Sequence, residues 1–253
     1  MKNKVAIVTG ASSGIGRATA KLFAQNGATV VGVGRNETEL HAIRDELKDA
    51  EGSIRPHLGD VLEISQLDRI VSETMDSFGQ IDILVNAAGV LKGGSVEDCT
   101  LSDWDKQMNL NVRSVFYLMQ KCIPYLEAVK GSIVNVSSVT GTRAFPGVLA
   151  YCVSKAAVDQ LTRCAALDLA PKGIRVNAVN PGVVVTNLHK RGGMDDAAYE
   201  KFLERTEETH PLGRAGKAEE VAELIHFLAS DKAGWITGAT YAIDGGRAET
   251  CAR

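Results

Sequence analysis

Residues 4–16 read KVAIVTGASSGIG, and this stretch decides the fold. The apolar run at residues 4–9 predicts a strand that is buried on both faces. Residues 14–25 have helical periodicity and end before Asn26-Gly27, which is a helix-stop signal. Glycines between this strand and this helix permit a tight turn and let backbone N–H groups approach an anion. The G-x-x-x-G-x-G spacing therefore predicts a turn that binds the phosphates of a dinucleotide.

The alternation of strand and helix patterns continues along the chain. Strands are predicted at residues 28–33, 53–58, 81–86, 131–138, 174–180 and 240–244, and helices at residues 37–50, 64–78, 101–127, 151–170 and 218–229. Right-handed crossovers between parallel strands place helices on both faces of a sheet. We expect an α/β fold: a single doubly wound Rossmann-type domain over residues 1–253, with a seven-stranded, mostly parallel sheet.

Residues 187–216 interrupt this alternation. The segment is long and charged, contains Gly192-Gly193, and has a helical pattern only at about residues 195–208. Loops of this length inside compact domains are usually functional or disordered. We predict a mobile flap beside the substrate, with an ordinary surface excursion as the alternative.

Charge and composition exclude several classes of function. The net charge is −3 and the basic residues are scattered, which leaves no basic field for nucleic acid or an anionic membrane. No apolar run is long enough to span a bilayer, and no signal peptide is evident. Five cysteines without C-x-x-C and five dispersed histidines argue against disulfides and a metal site. We expect a cytoplasmic protein that acts on a small molecule.

Tyr151 and Lys155 stand four residues apart, so a helix that begins near Tyr151 places both on one face. An ammonium group favours a nearby phenolate, and we therefore expect Lys155 to lower the pKa of Tyr151. Ser138 supplies a hydroxyl that can hydrogen-bond a substrate oxygen as charge develops on it. Together these side chains predict proton transfer to or from a substrate oxygen.

Taken together, these motifs resemble the short-chain dehydrogenases/reductases over essentially the whole chain. Residues 9–16 match the family's T-G-x-x-x-G-x-G, residues 86–89 match N-N-A-G except at Ala87, and residues 151–155 match Tyr-x-x-x-Lys. The resemblance implies that the catalytic residues are Asn111, Ser138, Tyr151 and Lys155. The cofactor site that it implies contains Gly10, Ser12, Ser13, Gly14, Ile15, Gly16, Asp60, Val61, Asn86, Ala87, Gly89, Tyr151, Lys155, Pro181, Gly182, Val184 and Thr186.

The resemblance also implies individual roles. Asp60 would contact adenine, and the segment that begins at Pro181 would hold the nicotinamide carboxamide. Lys155 would bind the nicotinamide ribose hydroxyls, and Asn111 would support Lys155 through a chain of waters.

Cofactor choice is predicted at the end of the second strand, where an acidic side chain would bind the adenosine 2′-hydroxyl of NAD. The strand ends instead with Arg35, whose planar guanidinium suits a 2′-phosphate. Many NADP-dependent members of the family carry a basic residue where this chain has Ser13, so the prediction rests mainly on Arg35. We expect Arg35 to bind the cofactor, NADP(H) to be favoured over NAD(H), and no metal to take part.

The predicted activity is that of an NADP(H)-dependent carbonyl reductase or alcohol dehydrogenase, with Tyr151 as general acid/base. Reduction of 3-oxoacyl thioesters on an acyl-carrier protein is an alternative, although residues 190–208 hold six acids against four bases. A catalytically silent NADP-binding sensor module is an alternative of another class. Apolar residues beyond one face of the helices predicted at 101–127 and 151–170, together with the resemblance, indicate a homotetramer.

Overall fold

The computed structural model describes residues 1–250 and contains a seven-stranded sheet. The strands are β1 (Val5–Thr9), β2 (Thr29–Gly34), β3 (Ser53–Leu58), β4 (Ile83–Asn86), β5 (Ser132–Val136), β6 (Arg175–Pro181) and β7 (Thr240–Ile243). They run parallel in the order β3-β2-β1-β4-β5-β6-β7. Strand order reverses between β1 and β4, which is where ligands of doubly wound sheets bind.

Helices cover both faces of the sheet, as the alternating pattern predicts. They are α1 (Gly14–Gln25), α2 (Glu37–Glu46), α3 (Ile64–Phe78), α4 (Leu101–Met108), α5 (Ser114–Val129), α6 (Leu149–Leu169), α7 (Leu188–Arg191), α8 (Asp196–Glu204), α9 (Thr206–Thr209) and α10 (Ala218–Ala229). Within residues 1–250, no helix combines the length and the apolar character needed to cross a membrane. The predicted single doubly wound domain with seven strands is confirmed, and its sheet is wholly parallel.

Two hydrophobic cores lie on opposite faces of the sheet. Successive residues of a strand point to opposite faces. Val8 therefore lies in the same core as Phe23 of α1 and Ile225 of α10, whereas the neighbouring Ile7 lies in the opposite core with Leu118 of α5. All of these side chains are buried, and burial of one such side chain contributes about 1.5–3 kcal/mol. The cores hold β1 and β4 rigidly beneath the strand-order reversal.

The helix predicted at residues 101–127 is not continuous. A π-helical turn (Asn109–Arg113) separates α4 from α5. Such a turn adds one residue to the helix while apolar periodicity persists on each side, so the sequence pattern does not reveal it. A smaller difference is that α6 begins at Leu149, before the predicted start at Tyr151.

The flap, residues 187–216, contains three short helices, α7 to α9, instead of the single helix predicted near residues 195–208. Buried Tyr199 ties it to the segment after β6, because its hydroxyl donates to the Thr186 carbonyl at 2.9 Å and accepts from the Thr186 N–H at 3.2 Å. The predicted mobility of the flap stays a prediction.

Candidate active site

A cavity of about 940 Å³ lies at the carboxyl ends of the central strands. Gly10 follows β1, Ala87 follows β4, and Ser138 lies just beyond β5, and all three line the cavity. The topology thus brings together segments that are far apart in sequence. Every predicted catalytic and cofactor-binding residue lines this cavity except Asn86 and Asn111.

The turn between β1 and α1 is shaped by glycines that leave no room for a side chain. Gly10 and Gly14 have positive φ angles of 71° and 54°. A Cβ atom at Gly10 would lie 3.0 Å from the Ala87 carbonyl oxygen, and one at Gly16 would overlap the Gly10 carbonyl oxygen. The first N–H groups of α1 have no intrahelical acceptor, so this turn offers them to an anion.

Thr9 joins the ends of the two strands that flank the strand-order reversal. Its Oγ1 accepts hydrogen bonds from the backbone N–H groups of Ala87 and Ala88, each at 3.1 Å. This contact fixes the distance between the phosphate turn and the loop after β4. Thr9 is the first residue of the T-G-x-x-x-G-x-G motif, although the motif alone does not indicate this contact with the loop after β4.

Tyr151 and Lys155 lie on the same face of α6, where both are buried. The Lys155 Nζ atom is 5.6 Å from the centre of the Tyr151 ring and donates a hydrogen bond to the Val136 carbonyl at 2.8 Å. Ser138 Oγ accepts from the Thr140 N–H at 3.1 Å, which orients the hydroxyl at the end of β5. The three side chains thus share one wall of the cavity.

The expected effect of Lys155 on Tyr151 is wrong for this arrangement. Burial raises the pKa of Tyr151 to about 12, and the Ser138 hydroxyl is the neighbour that lowers it. Burial also lowers the pKa of Lys155 to about 8, against a smaller raising effect of Asp159. Both groups are buried, and desolvation disfavours the charged form of each. The phenol is therefore held in its protonated form.

Ser138 is supported by a buried network that no motif revealed. The Asn180 amide donates to the Ser138 carbonyl at 2.9 Å and to Asp159 Oδ2 at 2.8 Å. Asp159 is only 1 % exposed, and burial raises the pKa of its carboxyl. It lies one helical turn after Lys155, and this spacing was the available indication in the sequence.

Asn111 lies in the π-helical turn and does not line the cavity. Its Oδ1 accepts from the Val90 N–H at 2.9 Å, and its Nδ2 donates to the Val90 carbonyl at 2.9 Å and to Ser154 Oγ at 3.0 Å. Gly89 separates it from the active-site lysine, since a Cβ there would lie 3.7 Å from both Asn111 Oδ1 and Lys155 Nζ. Asn111 therefore fixes the loop after β4 against α6.

The Asn86 side chain is engaged within the sheet. Its amide donates to Asn135 Oδ1 at 2.9 Å, and Asn135 in turn donates to Thr162 Oγ1 at 3.0 Å. All three residues are buried. The Asn86 amide thus links β4 to β5 beneath the cavity, instead of lining it as the motif implied.

Arg35 and Asp60 lie together at the other end of the cavity. Arg35 Nη1 is 3.6 Å from Asp60 Oδ2, and the Arg35 side chain is 63 % exposed. Asp60 Oδ1 also accepts from the Leu62 N–H at 3.0 Å, which fixes the carboxylate at the start of the loop. This exposed ion pair is weak, so the Arg35 guanidinium remains available to a ligand.

The segment after β6 is fixed by contacts from the flap. His210 is buried, and its Nε2 accepts a hydrogen bond from the Val183 N–H at 3.2 Å. Tyr199 binds Thr186 in the same segment. These contacts hold residues 181–186 as one wall of the cavity, the segment in which the sequence analysis placed Pro181, Gly182, Val184 and Thr186.

Comparison with known proteins identifies the family. A family model described as enoyl-(acyl carrier protein) reductase matches residues 10–248. A crystal structure of a short-chain dehydrogenase/reductase of unknown function from Caenorhabditis elegans, with cofactor, superposes with a TM-score of 0.93 at 39% identity, covering 99% of this chain and 97% of that chain. This chain belongs to the short-chain dehydrogenase/reductase family.

Relatives within this family are named for different activities. A 3-oxoacyl-[acyl-carrier-protein] reductase from Thermotoga maritima is 40% identical over 247 residues, which is 97% of this chain and 98% of that protein. Dehydrogenase/reductase SDR family member 6 from Rattus norvegicus is 40% identical over 252 residues, covering 97% of this chain and 98% of that protein. The family makes the chain an oxidoreductase with a nicotinamide cofactor.

The residues present fit the dinucleotide of a short-chain dehydrogenase/reductase. Phosphates would lie at the Gly10–Gly16 turn, where an added Cβ would fill the space, and adenine would lie near Asp60. The nicotinamide end would lie between Lys155 and residues 181–186. The sequence analysis singled out none of the following hydrophobic and basic cavity-lining residues individually, although the predicted flap covers three of them as a segment: Leu91, Phe145, Met194, Phe202, Arg205 and Arg247.

Raising the pH from 8 to 10.5 will stabilise the cofactor-free protein relative to its Lys155→Met variant. The pKa of Lys155 is lowered from 10.5 to about 8. Between these values the unfolded chain holds a proton that the folded chain has lost, so the free energy of unfolding rises with pH. The expected rise is on the order of 3 kcal/mol. Denaturant unfolding of both proteins at several pH values measures it, and a difference independent of pH would show that Lys155 titrates normally.

Proposed function

We propose that this protein transfers a hydride reversibly between NADP(H) and a carbonyl or secondary alcohol. One observation carries the proposal: Ser138, Tyr151 and Lys155 line the same cavity as the glycine-rich phosphate turn. A bound nicotinamide supplies the hydride or accepts it. The protein must then supply a proton, an orienting hydrogen bond and a dry site.

Tyr151 is proposed as the general acid in the reductive direction. Its pKa of about 12 keeps the phenol protonated at neutral pH, so the hydroxyl can donate its proton to the carbonyl oxygen. Ser138 would hydrogen-bond that oxygen as negative charge develops on it. Lys155 would bind the nicotinamide ribose hydroxyls, and its ammonium group, mostly protonated at neutral pH with a pKa of about 8, would favour the phenolate that the reaction leaves.

The direct test is NADPH oxidation with a panel of ketones, diketones and acetoacetyl thioesters. Turnover on simple ketones supports the proposal, whereas turnover only on thioesters supports the alternative of 3-oxoacyl-thioester reduction. That alternative is favoured by the 40% identity to a 3-oxoacyl-[acyl-carrier-protein] reductase. Cofactor binding without turnover of any compound would instead indicate the silent sensor module.

Arg35→Asp will weaken NADPH binding far more than NADH binding. Arg35 follows directly after β2, and its neighbours in the sequence, Gly34 and Asn36, are not acidic. A charge-assisted hydrogen bond to the 2′-phosphate is worth about 1.5–3 kcal/mol, so the expected loss of NADPH affinity is about 10- to 100-fold. Fluorescence titration with both cofactors measures it. Arg44→Asp on the exposed side of α2 is the matched control, and an unchanged preference in Arg35→Asp would remove Arg35 from the cofactor site.

The proposed assembly is a homotetramer in the cytoplasm. Large apolar side chains on α4, α5 and α6 are exposed in the single chain: Leu101, Phe116, Val153 and Leu167. Exposed apolar residues on neighbouring helices are typical of surfaces that pair with another subunit. Four cysteines are unpaired among residues 1–250, which supports a reducing compartment.

A further inference from the structure

The substrate side of the cavity is lined by arginines and by no acidic side chain. Arg191 and Arg205 come from the flap, and Arg247 comes from the segment after β7. Among residues 1–250, the acid that lines the cavity is Asp60, which lies beside Arg35 at the adenine end. The two ends of the cavity therefore differ in charge.

The basic residues of the flap that line the cavity are Arg191 and Arg205, and the acidic residues of the flap lie outside the cavity lining. Residues 190–208 contain six acids and four bases, so the composition of the segment is acidic. None of these acids lines the cavity, whereas Arg191 and Arg205 do. Lys190 is paired with Asp196 at 2.6 Å on the outer side. The flap is therefore acidic in composition, but the charged side chains that it contributes to the cavity are basic.

The cavity arginines have no counter-ion within the described residues. No carboxylate of residues 1–250 lies within 4.0 Å of Arg191, Arg205 or Arg247. Arg247 Nη1 donates to two neutral oxygens at 3.2 Å, the Thr209 carbonyl and Thr250 Oγ1. These bonds orient the guanidinium without neutralising it.

Arg247 is also held by an aromatic contact. Its guanidinium carbon lies 5.2 Å from the centre of the Phe145 ring, in the loop that leads into α6 and Tyr151. The stacked, half-buried group therefore faces the part of the cavity next to the catalytic residues. An arginine fixed in this way loses little side-chain freedom when it binds an anion.

Two histidines on this side add no positive charge at neutral pH. His210 Nε2 accepts a backbone hydrogen bond, and burial together with Arg247 lowers the pKa of His210. Burial likewise lowers the pKa of His189. The positive potential here therefore comes from the arginines.

We propose that the substrate carries an oxyanion, which Arg205 and Arg247 bind while its carbonyl faces Tyr151. The inference rests on the proposed function for the identity of the reacting carbonyl. Its physical basis is that cavity cations without counter-ions, of which Arg247 is half-buried and Arg205 is exposed, favour a ligand that supplies the missing negative charge. A guanidinium fork accepts either the carboxylate of a small oxo acid or the phosphate of a carrier-linked thioester.

The test compares oxo acids of increasing chain length with their methyl esters and with acetoacetyl-coenzyme A. We expect kcat/KM for the best oxo acid to exceed that of its ester by about tenfold or more. Arg205→Gln and Arg247→Gln will abolish this discrimination, mainly through KM. Lys201→Gln, which removes a flap cation that does not line the cavity, is the matched control and will keep it.

A binding measurement separates this inference from the proposed function. Calorimetric titration of glutarate, which cannot be reduced, into the protein will show binding that Arg205→Gln and Arg247→Gln lose and Lys201→Gln retains. A higher kcat/KM for acetoacetyl-coenzyme A than for the free acids, if the same two variants lose this preference, would show that the bound oxyanion is the phosphate of a carrier. Equal kcat/KM for acids, esters and the thioester, with no glutarate binding, overturns the inference. If no carbonyl compound is turned over, the proposed function is wrong. The binding of glutarate to the wild type and to the two arginine variants then tests the inference by itself.

Discussion

Tyr151→Phe will lower kcat for carbonyl reduction by about 10²- to 10⁴-fold, the range that a positioned general acid contributes. The substitution removes one hydroxyl from a side chain that is 6 % exposed and leaves the ring to fill the same space. Because the Tyr151 ring remains beside Lys155, affinity for NADPH will stay nearly unchanged. Stopped-flow or steady-state NADPH oxidation measures the first effect, and fluorescence titration measures the second.

The matched control is Tyr125→Phe, a partly buried tyrosine on α5 outside the cavity, which will keep full activity. Near-wild-type turnover by Tyr151→Phe would show that another group donates the proton. A variant that lost both activity and NADPH binding would indicate damage to the site, so both measurements are needed.

Gly16→Ala will prevent formation of the phosphate turn. A Cβ atom at this position would overlap the Gly10 carbonyl oxygen and press on the Thr9 carbonyl oxygen, and both are backbone atoms that cannot rotate away. Insertion of a methyl group into packed structure costs about 1–3 kcal/mol and more where backbone must move, so we expect a loss near 3 kcal/mol. The displaced α1 N-terminus will also lose its affinity for the cofactor phosphates.

Gly216→Ala is the control, because a Cβ there would meet its nearest atom at 3.5 Å, which is ordinary contact. Denaturant unfolding and NADPH titration of the two variants test the prediction. Equal stability and equal NADPH affinity in both variants would show that the turn tolerates a side chain at position 16.

The fold could be predicted because each element carries its own local pattern. The apolar runs of β1 and β4 are buried on both faces, and glycines mark the turn before α1. Convergence of Gly10, Ser138 and Pro181 then follows from parallel topology alone. The motif residues of the resemblance lie on the same strand ends, so both lines of reasoning lead to one cavity.

What the sequence did not reveal depends on three-dimensional surroundings. The pKa values of Tyr151 and Lys155 follow from the amount of water excluded around them, which spacing along a helix does not encode. The orientation of Arg205 toward the cavity depends on how α8 and α9 fold back on the sheet. The composition of the flap gives only its net charge, whereas ligand binding depends on which of its charged side chains line the cavity.

The contact between Asn111 and Val90 acts as a substitute for a strand edge. The Asn111 amide donates to the carbonyl and accepts from the N–H of the same residue, as a peptide group in a neighbouring strand would. Gln107 extends this pairing one step along, since its Oε1 accepts from the Lys92 N–H at 3.0 Å. The side chains of Gln107 in α4 and Asn111 in the π-helical turn thus hydrogen-bond the backbone of the loop after β4 as a neighbouring strand would. If an Asn111 variant loses activity, the first explanation is therefore displacement of the loop after β4, and loss of the water chain to Lys155 is the second.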